Sequence, residues 1–174
     1  MNTTRFQKVL ESGQLVKISN YNVTEEFRFA VNYTLTLVEM IAKGKYDWSN
    51  PDITLESFPI VGSGVVEYEA CYFDFPDSVF SDDAIATIVA EDSTNPWEPA
   101  QIEHKCSFGA KFPEEQRKYS IVGLGSVAGV RGNRHVPCLW GDLSERNLDL
   151  YWFDRDDGWA GYYRFLAVRK VLRS

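Results

Sequence analysis

The chain has 174 residues, a length suited to one domain with a sizeable core, because a fold of this size removes roughly 70% of its unfolded surface from water. Its net charge of −7 argues against a nucleic-acid grip, which needs clustered Lys and Arg; the gathering of Arg164, Arg169, Lys170 and Arg173 near the end suits a strand edge equally well. Cys71, Cys106 and Cys138 are too scattered for a disulfide framework or a metal clip, the opening Met1-Asn2-Thr3-Thr4-Arg5-Phe6 has no apolar leader, and no run approaches the roughly 18 apolar residues of a membrane span, so neither a signal peptide nor membrane insertion is expected.

Asn22 and Glu25 have capping-box spacing, and Phe27, Val31, Leu35, Val38 and Ala42 recur at helical intervals before Gly44, which predicts a long helix over residues 23 to 43. Tyr46, Trp48, Pro51 and Pro59 mark an irregular connection. Val65 to Phe73 alternates, is rich in β-branched and aromatic residues and lies between Gly64 and Pro76, so it predicts a strand. Ser81 is placed to cap a short helix through Ala84, Ile85, Ile88 and Val89, and a second short helix is expected from Glu98 to Phe108, ending at Gly109. Further strands are expected at 120–126 and 135–140, joined by a loop from Ala128 to Arg134. The expected organisation is a single domain over 1–174, with a mainly helical scaffold at 23–110 and a strand-and-loop half at 120–174. Helices first and antiparallel strands afterwards define an α+β class.

The last fifth is the most informative. Leu148, Leu150 and Trp152 share one face of a period-two strand, and Asn147, Asp149 and Tyr151 share the other. A polar, Gly- and Tyr-rich loop from Phe153 to Tyr163 follows and leads into the apolar strand Arg164 to Lys170. Tyr supplies large contact area with few torsions to freeze, while Gly and Asp adapt around it, so the loop has the composition of a binding surface, although an ordinary surface hairpin accounts for it equally well.

Catalytic and metal chemistry is not expected. Gly123-Leu124-Gly125 lacks the third glycine and the helix of a dinucleotide-binding turn. His135-x-x-Cys138 has no second pair to complete a zinc site, and His104 and Cys106 stand two apart on a predicted helix, pointing to different faces. Asp154, Asp156 and Asp157 suit a solvated loop better than a calcium site, which requires convergent oxygen ligands.

The ending, Arg-x-Leu-x-Leu-x-Trp-Phe-Asp at 146 to 154 with Trp159 and Arg-Phe-Leu-Ala-Val-Arg-Lys at 164 to 170, resembles the variable proteins of diversity-generating retroelements, and most of all their archaeal and candidate-phylum branch. Further similar segments are Gly44-Lys45-Tyr46-Asp47-Trp48 with Asp52-Ile53, Phe58-Pro59-Ile60, Phe108-Gly109-Ala110-Lys111-Phe112-Pro113 with Gln116-Arg117, Ile121 to Ser126, and Val136-Pro137. The similarity runs from about residue 40 to the end. It implies a C-type-lectin-like fold and a ligand-binding protein rather than an enzyme, with no cofactor and with a macromolecular partner, a protein or cell-surface target.

The resemblance also implies a reverse transcriptase that rewrites template adenines, so that an Asn codon gives Asp, Tyr, His, Ser, Gly, Ala or Arg but never Trp, Lys, Glu, Gln or Met. On that basis the expected display positions are Ala128, Gly129, Val130, Gly132, Asn133, His135, Asp149, Tyr151, Arg155, Asp157, Gly158, Ala160, Gly161, Tyr162 and Tyr163. Leu148, Leu150, Trp152, Trp159 and Phe165 are the expected scaffold beneath them. Two alternatives come from other classes. A small acidic interaction protein of immunity or adaptor type would bind one fixed partner. A formylglycine-generating enzyme shares the implied architecture but needs two cysteines together, and only Cys138 lies in the late region.

Overall fold

A computed structural model describes residues 20 to 173 and the backbone of residues 3 to 5; the other leading residues that enter the signal-peptide expectation lie outside the described residues. In chain order the elements are β1 (Thr3–Arg5), β2 (Tyr21–Asn32), α1 (Leu37–Gly44), β3 (Trp48–Ser49), β4 (Val65–Asp74), α2 (Ser81–Ala90), β5 (Glu98–Pro99), α3 (Ile102–Lys111), α4 (Glu115–Lys118), β6 (Ser120–Val122), β7 (Ala128–Val130), β8 (Asn133–Gly141), β9 (Arg146–Trp152) and β10 (Tyr163–Lys170). One mixed sheet runs β1-β2-β4-β10-β6-β8-β9-β3, with β5 alongside β10 and β7 alongside β8. The pairs β10–β6 and β3–β9 are parallel, and the rest are antiparallel.

The α+β class holds, but the order of elements differs from expectation. The predicted helix over 23–43 is mostly strand β2, which pairs with β4 from Asn22↔Asp74 to Asn32↔Val65. Phe27, Val31 and Leu35 are four apart, and four is a multiple of two, so the same residues satisfy a strand. Phe29 and Val31 are buried while Arg28 and Ala30 are exposed, the alternation of a sheet with one covered face. The Asn22 and Glu25 spacing is coincidental: Glu25 takes a left-handed φ of 57° inside a bulge between Thr24 and Phe27. The true helix start is Thr36, whose hydroxyl accepts from Glu39 N at 3.2 Å while the Glu39 carboxylate accepts from Thr36 N at 2.8 Å. That reciprocal pair also holds the Glu39 carboxyl below its ordinary range. The helix ends at Gly44, followed by Lys45 in the left-handed region.

Helices cover both faces of the sheet. Along β4, Tyr68, Ala70 and Tyr72 face a core with Leu166 and Val168 of β10 and Leu148 and Leu150 of β9, capped by Leu37 and Met40 of α1 and by Ile102, Cys106 and Phe108 of α3. The intervening Cys71 and Phe73 face a second core with Phe165 and Ala167 of β10 and Val136 and Cys138 of β8, covered by Ala84 and Ile88 of α2 and by Trp159. A strand covered on both sides needs apolar residues at consecutive positions, which accounts for Phe165-Leu166-Ala167-Val168. The short helix expected from Glu98 begins later, at Ile102, because Glu98 and Pro99 pair with Val168 and Ala167.

Two buried basic side chains organise the chain between these layers. Arg146, at the start of β9, donates to Gly44 O (2.8 Å), Gly109 O (2.8 Å), Pro113 O (3.0 Å) and Gln116 Oε1 (3.0 Å). It thereby satisfies carbonyls at the C-terminal ends of α1 and α3, where the helix dipoles favour a cation. Gln116 completes the junction by donating to Trp140 O and Asn147 O. The Gly44–Trp48, Phe108–Pro113, Gln116 and Arg146 segments, distant in sequence, thus meet around one guanidinium. Lys105 of α3 is fully buried, donates to Ile121 O at 2.6 Å, and is pushed down to about 7 by loss of solvent.

No described helix is long and apolar enough to cross a membrane.

Candidate functional site

The candidate positions gather at one end of β8 and β9. Residues 128–134, expected as a loop, are a tight hairpin: Val130 pairs with Asn133, leaving Arg131 (φ 50°) and Gly132 (φ 85°) as a two-residue turn. Two successive positive φ values match the right-handed twist of the flanking strands. Beyond the turn, His135 pairs with Trp152 and Val136 with Tyr151. Successive residues on a strand point to opposite faces, so the candidates divide into two groups.

On the α1 and α3 side lies an open groove of about 470 Å³, lined among others by Trp48, Asp52, Asn133, His135, Leu150 and Trp152. Trp48 and Trp152 are 45% and 59% exposed. Trp152, expected beneath the surface, therefore forms part of it, because among the described residues no layer covers the last residue of β9 on this side. Leu148, Leu150, Trp159 and Phe165 are buried, consistent with a supporting role. Arg131 lies 3.6 Å from Asp52 at the groove's rim. His135 keeps its Nδ1 within 3.1 Å of Asn133 O.

On the α2 side the 153–163 loop packs around Trp159. The indole donates from Nε1 to Ser81 Oγ at 2.8 Å, and Ser81 Oγ donates to Phe153 O at 2.7 Å. Ser81, expected to cap α2, is the first residue of that helix and holds the loop instead; Phe80 occupies the cap position. A bridge of Val79 N to Trp159 O (3.1 Å) and Trp159 N to Val79 O (2.7 Å) fastens the backbone. Tyr163 meets Trp159 edge-on at 4.9 Å and Tyr151 at 6.2 Å, and Arg155 lies over the Trp159 ring at 4.8 Å. Burial pushes the Tyr151 and Tyr163 phenols up, so both stay neutral. Outside this cluster Arg134 forms a bidentate pair with Asp154 and rests on the Phe153 ring at 4.4 Å; the hydrogen bond holds the Asp154 carboxyl below its usual range.

Packing removes several expected display positions. Ala128 and Tyr163 are buried. Gly158 has φ 70°, and a Cβ there would stand 2.7 Å from Val79 O; at Gly161 it would stand 2.6 Å from Pro76 O. Asp149 is committed to the scaffold, since its carboxylate accepts from Asn50 Nδ2 (3.0 Å), Trp140 Nε1 (3.3 Å) and Leu150 N (2.7 Å). Tyr151 is half-buried. Gly129, Asn133, Asp157, Ala160 and Tyr162 are exposed, with Val130, His135 and Arg155 partly so. Gly132 is exposed with open space around it, but its positive φ limits it to glycine or an Asn-like residue.

Trp48, Asp52, Arg131 and Arg134 also stand at this end of the sheet, beyond the positions expected from the sequence. Trp48 and Asp52 carry a signal in the motif around 44–53, but their approach to β9 depends on the parallel pairing Trp48↔Asn147. His135 and Cys138 point to opposite faces of β8, and His104 is buried, its Nδ1 accepting from Gln101 N at 3.0 Å. Among the described residues, no group of three or more His, Cys, Asp or Glu side chains is gathered to hold a metal ion. What the surface offers is aromatic faces, a guanidinium and amide and carboxylate groups, the chemistry of contact.

Comparison with family models, with curated proteins and with solved structures gives no match.

Proposed function

We propose that the chain is a ligand-binding protein on a C-type-lectin-like scaffold, whose surface is diversified by a retroelement reverse transcriptase and recognises a protein or cell-surface target. It acts by binding rather than by catalysis. The observation that carries the reading is a division of labour at one end of the sheet. Trp159, Phe165, Leu148 and Leu150 fill the interior, while Asn133, Asp157, Ala160 and Tyr162 reach solvent with side chains that support little of the fold. A surface of that kind tolerates substitution, since exposed positions away from special sites change stability within about 0.5 kcal/mol. The resemblance around 146–170 supplies the mechanism of diversification, and the packing narrows its reach to positions with room for a side chain.

The test is deep sequencing of the 3′ end of the gene across its source population. Adenine-specific variation at the codons of Asn133, Asp157, Ala160 and Tyr162, with Trp159 and Trp152 constant, is the expected result. A uniform sequence would overturn diversification and leave an acidic interaction protein with one fixed partner.

A further inference from the structure

The outer edge of β9 is only partly covered. Phe153 N donates to Arg134 O at 2.9 Å, and with the register Val136↔Tyr151 and Cys138↔Asp149 this sets the parity of the ladder. Asp149 and Tyr151 turn their backbone groups toward β8. Leu148, Leu150 and Trp152 turn theirs outward. Asn50 N takes Leu148 O at 2.8 Å, and the chain then turns away at Pro51 and Asp52. The Leu150 N–H is taken by the Asp149 carboxylate at 2.7 Å. Among the described residues, Leu150 C=O and the N–H and C=O of Trp152 have no hydrogen-bond partner.

These free groups lie beside the groove that Leu150 and Trp152 line. Resting on the ligand-binding reading, we propose that the partner presents an extended peptide segment that adds as a short strand to this edge, with one bulky apolar or aromatic side chain seated against Trp152 and the Leu150 floor. An acceptor and a donor two residues apart along one edge match the alternating N–H and C=O of a peptide backbone. The rim pair of Arg131 and Asp52 neutralises itself, so the groove favours an uncharged side chain. The carboxylate cap on Leu150 N confines pairing to the last residues of β9 and blunts the rest of the edge.

The experiment selects binders from a library of linear random octapeptides displayed on phage, using the whole chain as bait, and then methylates the backbone nitrogens of a selected peptide one at a time. Methylation at alternate residues is expected to weaken binding tenfold or more, and methylation at the intervening residues to leave it unchanged. In the complex the Trp152 amide should exchange its hydrogen more slowly, while the Leu150 amide, already bonded within the chain, should not change. Trp152→Ala, at an exposed position, should keep the fold and lose the peptide. A methylation scan without alternation, an unchanged Trp152 amide, or recovery of no peptide would overturn edge pairing, as would a panel of glycans binding in a Trp152-dependent way. None of these bears on the sequencing result, so the failure of edge pairing is distinguishable from the failure of diversification.

Discussion

Trp159 and Tyr162 stand three residues apart in one loop, and the structure buries the first and exposes the second. Trp159 is fully buried, meets Tyr163 and Phe165 edge-on at 4.9 and 5.8 Å, and donates to Ser81 Oγ. Truncating a buried Trp to Ala costs about 3–5 kcal/mol, the sum of lost transfer energy and the cavity left behind. Here the lost donor to Ser81 and the released Arg155 guanidinium place Trp159→Ala toward the upper part of that range. For a chain of this length that corresponds to a fall in melting temperature of about 10 °C or more. Tyr162 is 63% exposed, tilted on Tyr163 at 4.5 Å. Tyr162→Ala should cost about 0.5 kcal/mol and move the melting temperature by about 2 °C or less. Urea and thermal unfolding of both variants, followed by near-ultraviolet circular dichroism, give the comparison. Equal losses would refute the separation of scaffold from display on which the functional reading depends.

Lys105→Met should stabilise the protein near neutral pH. Burial lowers the amine from its ordinary 10.5 to about 7, so between those values the unfolded chain holds a proton that the folded chain does not, and stability rises with pH through that window. The penalty below it amounts to about 5 kcal/mol, offset by about 1–3 kcal/mol for the lost hydrogen bond to Ile121 O, a net gain of about 2–4 kcal/mol. Urea titrations of both proteins from pH 6 to 9.5 should show the gap closing as pH rises; the neighbouring Cys106 and Cys138 thiols, both pushed up to about 12 by burial, stay protonated in the folded protein across this range. Gly158→Ala should lower stability by about 1–3 kcal/mol, through its positive φ and the approach to Val79 O, whereas Gly129→Ala, with nothing near its Cβ, should fold normally. Their melting curves check the difference.

The segments that the sequence placed well are those whose local pattern and final burial agree. Residues 65–74 and 146–152 are strands, and Ser81–Ala90 is a helix, because their apolar spacing admits one periodicity and the surrounding layers honour it. Residues 21–32 failed for a definite reason. Apolar residues four apart satisfy both a helix and a strand, and only pairing with β4 selects the strand.

At the candidate site, local pattern determined composition: a Tyr-, Asp- and Gly-rich loop between two strands, with Trp159 unlike its neighbours. The tertiary structure decided which of those residues are available. Gly158 and Gly161 look like free choices until Val79 and Pro76 come against them; Tyr163 looks like Tyr162 until it turns inward onto Trp159; Trp152 alternates with Leu148 and Leu150, yet it stays exposed. The phase of side-chain alternation is a property of neighbours along the chain, so a sequence carries it once pairing has selected the strand. Exposure and room for a side chain are set in large part by segments distant in sequence, such as Val79 against Gly158 and Pro76 against Gly161, through contacts that exist only once the sheet has closed around its two cores.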